Sequence, residues 1–207
     1  ISELLKVAIQ SDGVVEIINT KGEEFSLFDE QFLNDVANMK EKNLAIEMLK
    51  KLLAQHIKKH QKKNLTQAEL FSEMLDKRLA EYLRGMISNE EVIKELLEMA
   101  KLMKQHAEEG NALGLSDEEQ AFYDALTRPR AVKDFYENNQ LVAMAREITD
   151  ALRKNRTLDW RQKETARAKM RTMIKRLLKK YHYPPEEAQN AIEVVMRQCE
   201  LWADNEE

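Results

Sequence analysis

The sequence predicts an all-α fold, a bundle of six to eight helices. Only five glycines and three prolines occur among 207 residues, so few positions can interrupt a helix. Apolar residues make up 43% of the chain and charged residues 34%, a mixture that suits amphipathic helices and is too apolar for a disordered chain. Three strings typical of helix starts mark the middle of the chain. A packed helical core is therefore expected.

The first 27 residues are the exception to the helical pattern. Residues 13–18 form a short β-prone run that is flanked by turn-forming residues around Gly13 and Gly22. We expect an irregular lead-in over residues 1–27, with a short strand or hairpin arm at most.

Helical spacing of apolar residues begins near Phe28 and continues to Met39. A longer helix is predicted from about Asn43, with Ala45, Leu49 and Leu53 on its apolar stripe. These two helices are the first elements of a helical subdomain that we assign to residues 28–109.

Three helix starts carry the pattern in which a Ser or Thr is followed three residues later by Glu. The strings occupy residues 66–69, 88–91 and 116–119. In such a capping box the hydroxyl and the carboxylate each accept a hydrogen bond from an otherwise unpaired backbone N–H. Leu65 and Leu70 are placed as a hydrophobic staple across the first string, and Gly85 suits the end of the helix before the second.

The second half of the chain is expected to form a C-terminal helical subdomain over residues 110–207. The boundary lies at residues 109–114, where two glycines occur close together. Arg128-Pro129 interrupts the helix that follows, and another helix is predicted over residues 140–154. A basic helix then starts at Thr157 or Asp159 and stops near residues 183–185, before a last helix over residues 186–202.

No familiar catalytic motif occurs in the chain. The sequence contains no Gly-rich phosphate loop, no nucleophile elbow, no H-E-x-x-H string and no Glu-x-Lys pair of a metal-dependent nuclease. His56 and His60 have the spacing of a metal-ligand pair but no third ligand nearby, so we interpret them as structural. His106 and His182 are interpreted as helix-end residues. We therefore expect no catalytic, cofactor or metal site in this chain.

Two further features bear on the compartment. No apolar run approaches the roughly 20 residues that a membrane span needs. Cys199 is the single cysteine, which fits a reducing cytoplasm. The expected setting is the cytoplasm, with no contact to a membrane.

The helix predicted to end near Tyr181 is strongly basic. Residues 151–181 carry twelve bases and two acids, whereas residues 186–207 carry seven acids and one base. One face is apolar, and cations occupy the other face and its flanks. The candidate surface residues are Arg161, Arg171, Lys175, Arg176, Lys179 and Lys180. This face could bind nucleic-acid phosphates or an acidic protein partner, or it could be a solvated face balanced by the acidic helix.

Several strings resemble the C-terminal region of the R (restriction) subunits of type I restriction-modification enzymes. They include Gly-Leu-Ser-Asp-Glu-Glu at residues 114–119, Leu-Asp-Trp-Arg at 158–161, Ala-Arg-Ala-Lys-Met-Arg at 166–171 and Tyr-Pro-Pro at 183–185. Upstream, residues 42–53 are similar to the helical region that follows the motor domains in that family. The resemblance covers roughly residues 28–204.

The resemblance implies a fragment of a large bacterial or archaeal protein with a nuclease domain and two helicase-like ATPase domains. ATP and Mg²⁺ would be used by those domains. The family's C-terminal region is expected to dock the motor onto the methyltransferase and specificity subunits, and no catalytic residue is carried over by the resemblance. The alternative expectation is that the basic helix, over residues 159–180, tracks the phosphates of duplex DNA.

Overall fold

The computed structural model describes residues 29–155, 160 and 162–205, where α-helix is the regular secondary structure. The helices are α1 (Glu30–Ala37), α2 (Lys42–Gln61), α3 (Leu65–Leu83), α4 (Asn89–Ala112), α5 (Asp117–Thr127), α6 (Arg130–Phe135), α7 (Asn138–Asn155), α8 (Glu164–Lys180) and α9 (Pro185–Asn205). The all-α prediction is confirmed. The β-prone run at residues 13–18 lies outside the described residues.

Helices α1 to α4 pack around one cluster of buried apolar side chains. The predicted stripe of α2 faces this cluster, with Ala45, Leu49 and Leu53 fully buried. Val36 of α1 and Leu96 of α4 are buried in the same cluster. Helical periodicity was sufficient to identify these faces because each helix buries one stripe and exposes the rest.

The predicted start of α3 at Thr66 is wrong. Asn64 is the N-cap, and its side-chain oxygen accepts a hydrogen bond from the backbone N–H of Gln67. Thr66 therefore lies inside the first turn, where its buried hydroxyl has no described hydrogen-bond partner. Leu70, predicted as half of a staple, is instead 43% exposed. The earlier start prevails because Asn caps a helix as well as Thr does, and its amide also bonds to the second half of the chain.

The other two capping boxes are confirmed. Ser88 and Glu91 cap α4, and Ser116 and Glu119 cap α5, each with both reciprocal hydrogen bonds. Gly85 has a φ of +70°, and the N–H of the following residue bonds back to the Glu81 carbonyl. This is the αL ending of α3 that the glycine predicted.

The expected break at residues 109–114 is mostly helical. Helix α4 continues through the buried Gly110 to Ala112, and the turn comes at Gly114, with a φ of +62°. Helices α5 to α9 and the fully buried Trp160 then form a second apolar cluster, which includes Met144 and Ile174. The division into subdomains 28–109 and 110–207 stays a prediction.

Two elements near the second cluster differ from the predictions. The chain after Pro129 forms the short helix α6, where only a break was expected. Helix α8 starts at Glu164 instead of Thr157 or Asp159, and both Trp160 and Gln162 lie in turns. The later start leaves Trp160 on a separate turn, from which its side chain enters the core.

A polar junction joins the two clusters at the start of α3. Gln198 of α9, which is completely buried, accepts a hydrogen bond from the Leu65 N–H (2.6 Å) and donates one to the Lys63 carbonyl (3.2 Å). The Asn64 amide donates to Asp124 of α5 (2.5 Å). The bond to Gln198 satisfies the Leu65 N–H, a backbone donor that the start of a helix leaves unpaired.

Ion pairs extend this junction along α3. Glu69 accepts from both Arg128 (2.9 Å) and Arg197 (2.6 Å). The junction is thus made largely of hydrogen bonds and charge pairs between α3 and the helices of the second cluster.

Candidate interaction surface

Helix α8 presents the predicted apolar face to the core. Met170, Ile174 and Leu178 are fully buried, and they lie four residues apart on one stripe. This burial fixes the rotation of the helix. The residues on the opposite side of α8 must therefore face away from the core.

Four cations lie on the outward side of α8 with no acid beside them. Lys169, Lys175, Arg176 and Lys179 are exposed, and within the described ranges no carboxylate lies within ion-pair distance of any of them. We call these four residues the cation face. Lys169 was not among the six predicted surface residues, although it lies about two helical turns before Arg176 on the same side of α8.

The other predicted cations are placed differently. Arg171 is half-buried and pairs with Glu164 at the start of α8 (3.4 Å). Lys180 is exposed but pairs with Glu147 of α7 (2.7 Å). Arg161 lies outside the described residues. The structure thus brings Lys175, Arg176 and Lys179 together. Arg171 and Lys180 instead form surface ion pairs with acids of the same chain.

Glu147 holds the C-terminal end of α8 to α7. Its carboxylate accepts hydrogen bonds from the Lys180 ammonium and from the Tyr181 hydroxyl (2.7 Å). These two bonds hold the pKa of Glu147 below its ordinary value. The same bond to Glu147, together with burial, raises the pKa of Tyr181 to about 12. Sequence reasoning did not find this contact because Glu147 and Lys180 are distant in the chain.

The acidic helix α9 balances only part of the charge on α8. Arg167, on the side of α8 that faces α9, pairs with Glu200 (2.8 Å). No such pair from α9 reaches the cation face among the described residues. The interpretation of the basic helix as an internally balanced face therefore applies to Arg167 and not to the cation face.

A shallow groove runs beside the cation face. It has a volume of about 600 Å³ and lies between the end of α7 and α8. Lys169, Arg176, Thr172 and Asn155 supply its polar walls, and Met173 and Leu177 supply its apolar lining. Two of the four cations thus converge on one groove.

The histidines show no metal-site geometry. The rings of His56 and His60 stack 6.0 Å apart on α2, and burial lowers the pKa of both. No group of three or more His, Cys, Asp or Glu side chains in the described part of the chain could hold a metal ion.

His106 is not a helix-end residue, contrary to the prediction. It lies inside α4 and its Nε2 is 3.1 Å from the Asp124 carboxylate of α5. This contact joins α4 to the polar junction beside a cleft of about 510 Å³. His182, by contrast, follows the end of α8 with a φ of +58°, which is the position that glycine usually takes at a helix end.

None of the helices in the described ranges combines the length and apolarity that crossing a membrane requires.

Comparison with known proteins gives a consistent result. The family model for the C-terminal part of type I restriction enzyme HindI endonuclease subunit-like proteins matches residues 1–205. The type I restriction enzyme HindI endonuclease subunit of Haemophilus influenzae is 34% identical over 208 residues, which cover 99% of this chain and 20% of that protein. A protein of Methanocaldococcus jannaschii, named as a type I restriction enzyme MjaIXP endonuclease subunit, is 30% identical over 168 residues, or 81% of this chain and 16% of that protein.

The chain spans a fifth or less of the length of these two curated relatives. No solved structure gives a significant match. Because the family model covers nearly the whole chain, this protein belongs to the family formed by the C-terminal part of type I restriction enzyme HindI endonuclease subunit-like proteins.

Proposed function

We propose that this chain is the non-catalytic assembly module of a type I restriction endonuclease subunit. It docks the ATP-dependent translocase and nuclease onto the complex of methyltransferase and specificity subunits. The match to the C-terminal part of such subunits carries the proposal. ATP and Mg²⁺ are assigned to the parts of the subunit that lie outside this region.

The fold supports a docking role. Two helical clusters are joined by hydrogen bonds and ion pairs between α3 and the helices α5 and α9. A packed helical scaffold of this kind can present a surface that is already folded, which lowers the cost of ordering on binding. The cation face of α8 is the clearest surface without internal partners among the described residues.

The test is size-exclusion chromatography of the chain with the cognate methyltransferase–specificity complex. The salt concentration should be high enough to suppress nonspecific DNA binding. Co-elution without DNA is the expected result. Separate elution at concentrations well above the micromolar range would refute the docking function.

A second candidate function is the tracking of duplex DNA phosphates by α8. The cation face favours it, because Lys169, Lys175, Arg176 and Lys179 are exposed without described acid partners. Phosphate contacts of this kind need closely spaced cations and little else. Each phosphate neutralised adds about 0.9 to the magnitude of the slope of log K against log salt concentration.

The charge-reversal variant Lys175→Glu/Arg176→Glu/Lys179→Glu tests this candidate by fluorescence anisotropy on duplex DNA. We expect its affinity to fall and its salt slope to shrink by about 3 relative to the parent chain. The double variant Lys51→Glu/Lys58→Glu is the control, since both lysines are exposed on α2. Equal loss in both variants would show a general charge effect and refute tracking by α8.

A further inference from the structure

The groove beside the cation face has both charged and apolar walls. Lys169 and Arg176 line it from α8, and both are exposed. Met173 and Leu177 are half-buried against the second cluster, and they supply its apolar lining. A phosphate backbone needs only closely spaced cations, whereas a protein segment buries apolar side chains beside charged ones. The combination in this groove therefore favours a protein segment.

The polar walls of the groove are fixed by hydrogen bonds within the chain. The Asn155 amide group donates to the Ala151 carbonyl (2.8 Å) and contacts the Met173 sulfur (3.3 Å). The Thr172 hydroxyl donates to the Ala168 carbonyl (2.9 Å). The contact between Asn155 and Met173 joins the end of α7 to α8, so the groove is already formed and less conformational freedom is lost when a partner binds.

The acids that lie closest to α8 do not neutralise the two cations of the groove. Three of them, from α7, α8 and α9, each pair with another cation of α8: Glu147 with Lys180, Glu164 with Arg171 and Glu200 with Arg167. In the described part of the chain, no carboxylate comes within ion-pair distance of Lys169 or Arg176. These two cations are thus available to carboxylates of a partner.

The spacing of the two cations sets the spacing of the acids that can pair with both. Lys169 and Arg176 are seven residues apart on α8, which is about 10 Å along the helix axis. A second α-helix has the same repeat if its carboxylates are seven residues apart and its apolar side chains lie midway between them. Those apolar side chains would then face Met173 and Leu177.

We propose that this groove binds an acidic amphipathic helix of the methyltransferase–specificity complex. Carboxylates of that helix pair with Lys169 and Arg176, and its apolar side chains cover Met173 and Leu177. The inference rests on the proposed docking function and names the contact through which docking occurs. The occupant is a protein and not DNA, because a phosphate backbone has no apolar side chains with which to cover the lining.

The test is the affinity of two matched double variants for the methyltransferase–specificity complex, measured by biolayer interferometry. Lys169→Ala/Arg176→Ala removes the cations of the groove. We expect it to weaken binding by about 10-fold or more, with an effect that shrinks as salt rises. Lys175→Ala/Lys179→Ala removes the same charge from the part of the cation face outside the groove, and should weaken binding by about 3-fold or less. Alanine favours helix, so circular dichroism should show α8 intact in both.

The apolar lining has a test of its own. Met173→Gln keeps the length of the side chain but makes the lining polar, and it should weaken binding to the complex about 5-fold at every salt concentration. The same variant should bind duplex DNA as tightly as the unsubstituted chain does, since phosphate contacts do not involve the lining. Met86→Gln is the matched control, because Met86 is 63% exposed in the turn between α3 and α4, and it should leave binding to the complex unchanged.

The remaining outcomes would overturn the inference in different ways. If the unsubstituted chain does not bind the complex, the proposed docking function fails. If it binds, and Lys169→Ala/Arg176→Ala binds equally well, docking stands and the groove is refuted as its site. If that variant keeps protein binding but loses affinity for duplex DNA, the groove binds phosphates. If light scattering shows that the unsubstituted chain is a dimer and this variant a monomer, the groove binds a second copy of the chain.

Discussion

Replacing Gln198 by Met tests the polar junction between the two clusters. Methionine has nearly the same length and volume, so the packing of α9 should persist while both hydrogen bonds of the amide are lost. The Lys63 carbonyl keeps a second donor, since the Trp202 indole N–H lies 3.2 Å from it. The Leu65 N–H has no such replacement and would be left buried without a partner.

An unpaired buried donor of this kind costs about 1–3 kcal/mol. We therefore expect Gln198→Met to lower the free energy of unfolding by about 2 kcal/mol, and the thermal midpoint by about 4–8 °C for a chain of this size. Urea denaturation followed by circular dichroism measures the first quantity. Gln189→Met is the control, because Gln189 lies on the same helix but is exposed, and its change should stay within about 0.5 kcal/mol. Equal effects of the two substitutions would refute the assignment of stability to the junction.

Three further substitutions test local features of the fold. Ser88→Ala removes the hydroxyl that caps α4, and urea denaturation should show a loss of about 1 kcal/mol. Thr66→Val should leave stability unchanged or slightly higher, because the buried hydroxyl has no described partner; a loss as large as that of Ser88→Ala would support the rejected capping box. The lowered pKa of Glu147 means that its bonds stabilise the fold above its ordinary pKa of 4.5 and are lost as the pH falls through the lowered value. Glu147→Gln should accordingly flatten the acid side of a thermal-midpoint profile measured between pH 7 and pH 3, and an unchanged profile would contradict this reasoning.

Local signals predicted most of the helices. The capping boxes at Ser88 and Ser116 gave two helix starts because their hydrogen bonds involve only residues three apart. The string at Thr66 failed because Asn64 competes for the same role and has an additional partner, Asp124, in the second half of the chain. A contact between residues 60 positions apart cannot be predicted from local sequence patterns.

The candidate surface was predicted only in part, because it also depends on contacts between distant segments of the chain. Helical periodicity alone identified the outward positions of Lys175, Arg176 and Lys179. It could not show that Lys180 is committed to Glu147, because that acid lies on another helix. Nor could it show that the Tyr136 hydroxyl donates a hydrogen bond to the Tyr181 carbonyl at the end of α8. That proximity depends on the packing of Tyr136 against Tyr183, which brings together residues from two distant segments.

The polar character of the junction has a consequence for how the chain folds during synthesis. The first cluster is assembled entirely from residues 32–103, so its apolar core can close before the second half leaves the ribosome. Until α5 and α9 are made, the side of α3 that they will cover exposes carboxylates, amides and backbone N–H groups. Water can form hydrogen bonds with all of these groups. We therefore expect a partly synthesised chain to expose mainly polar groups at this site, which would limit aggregation there before the second half is complete.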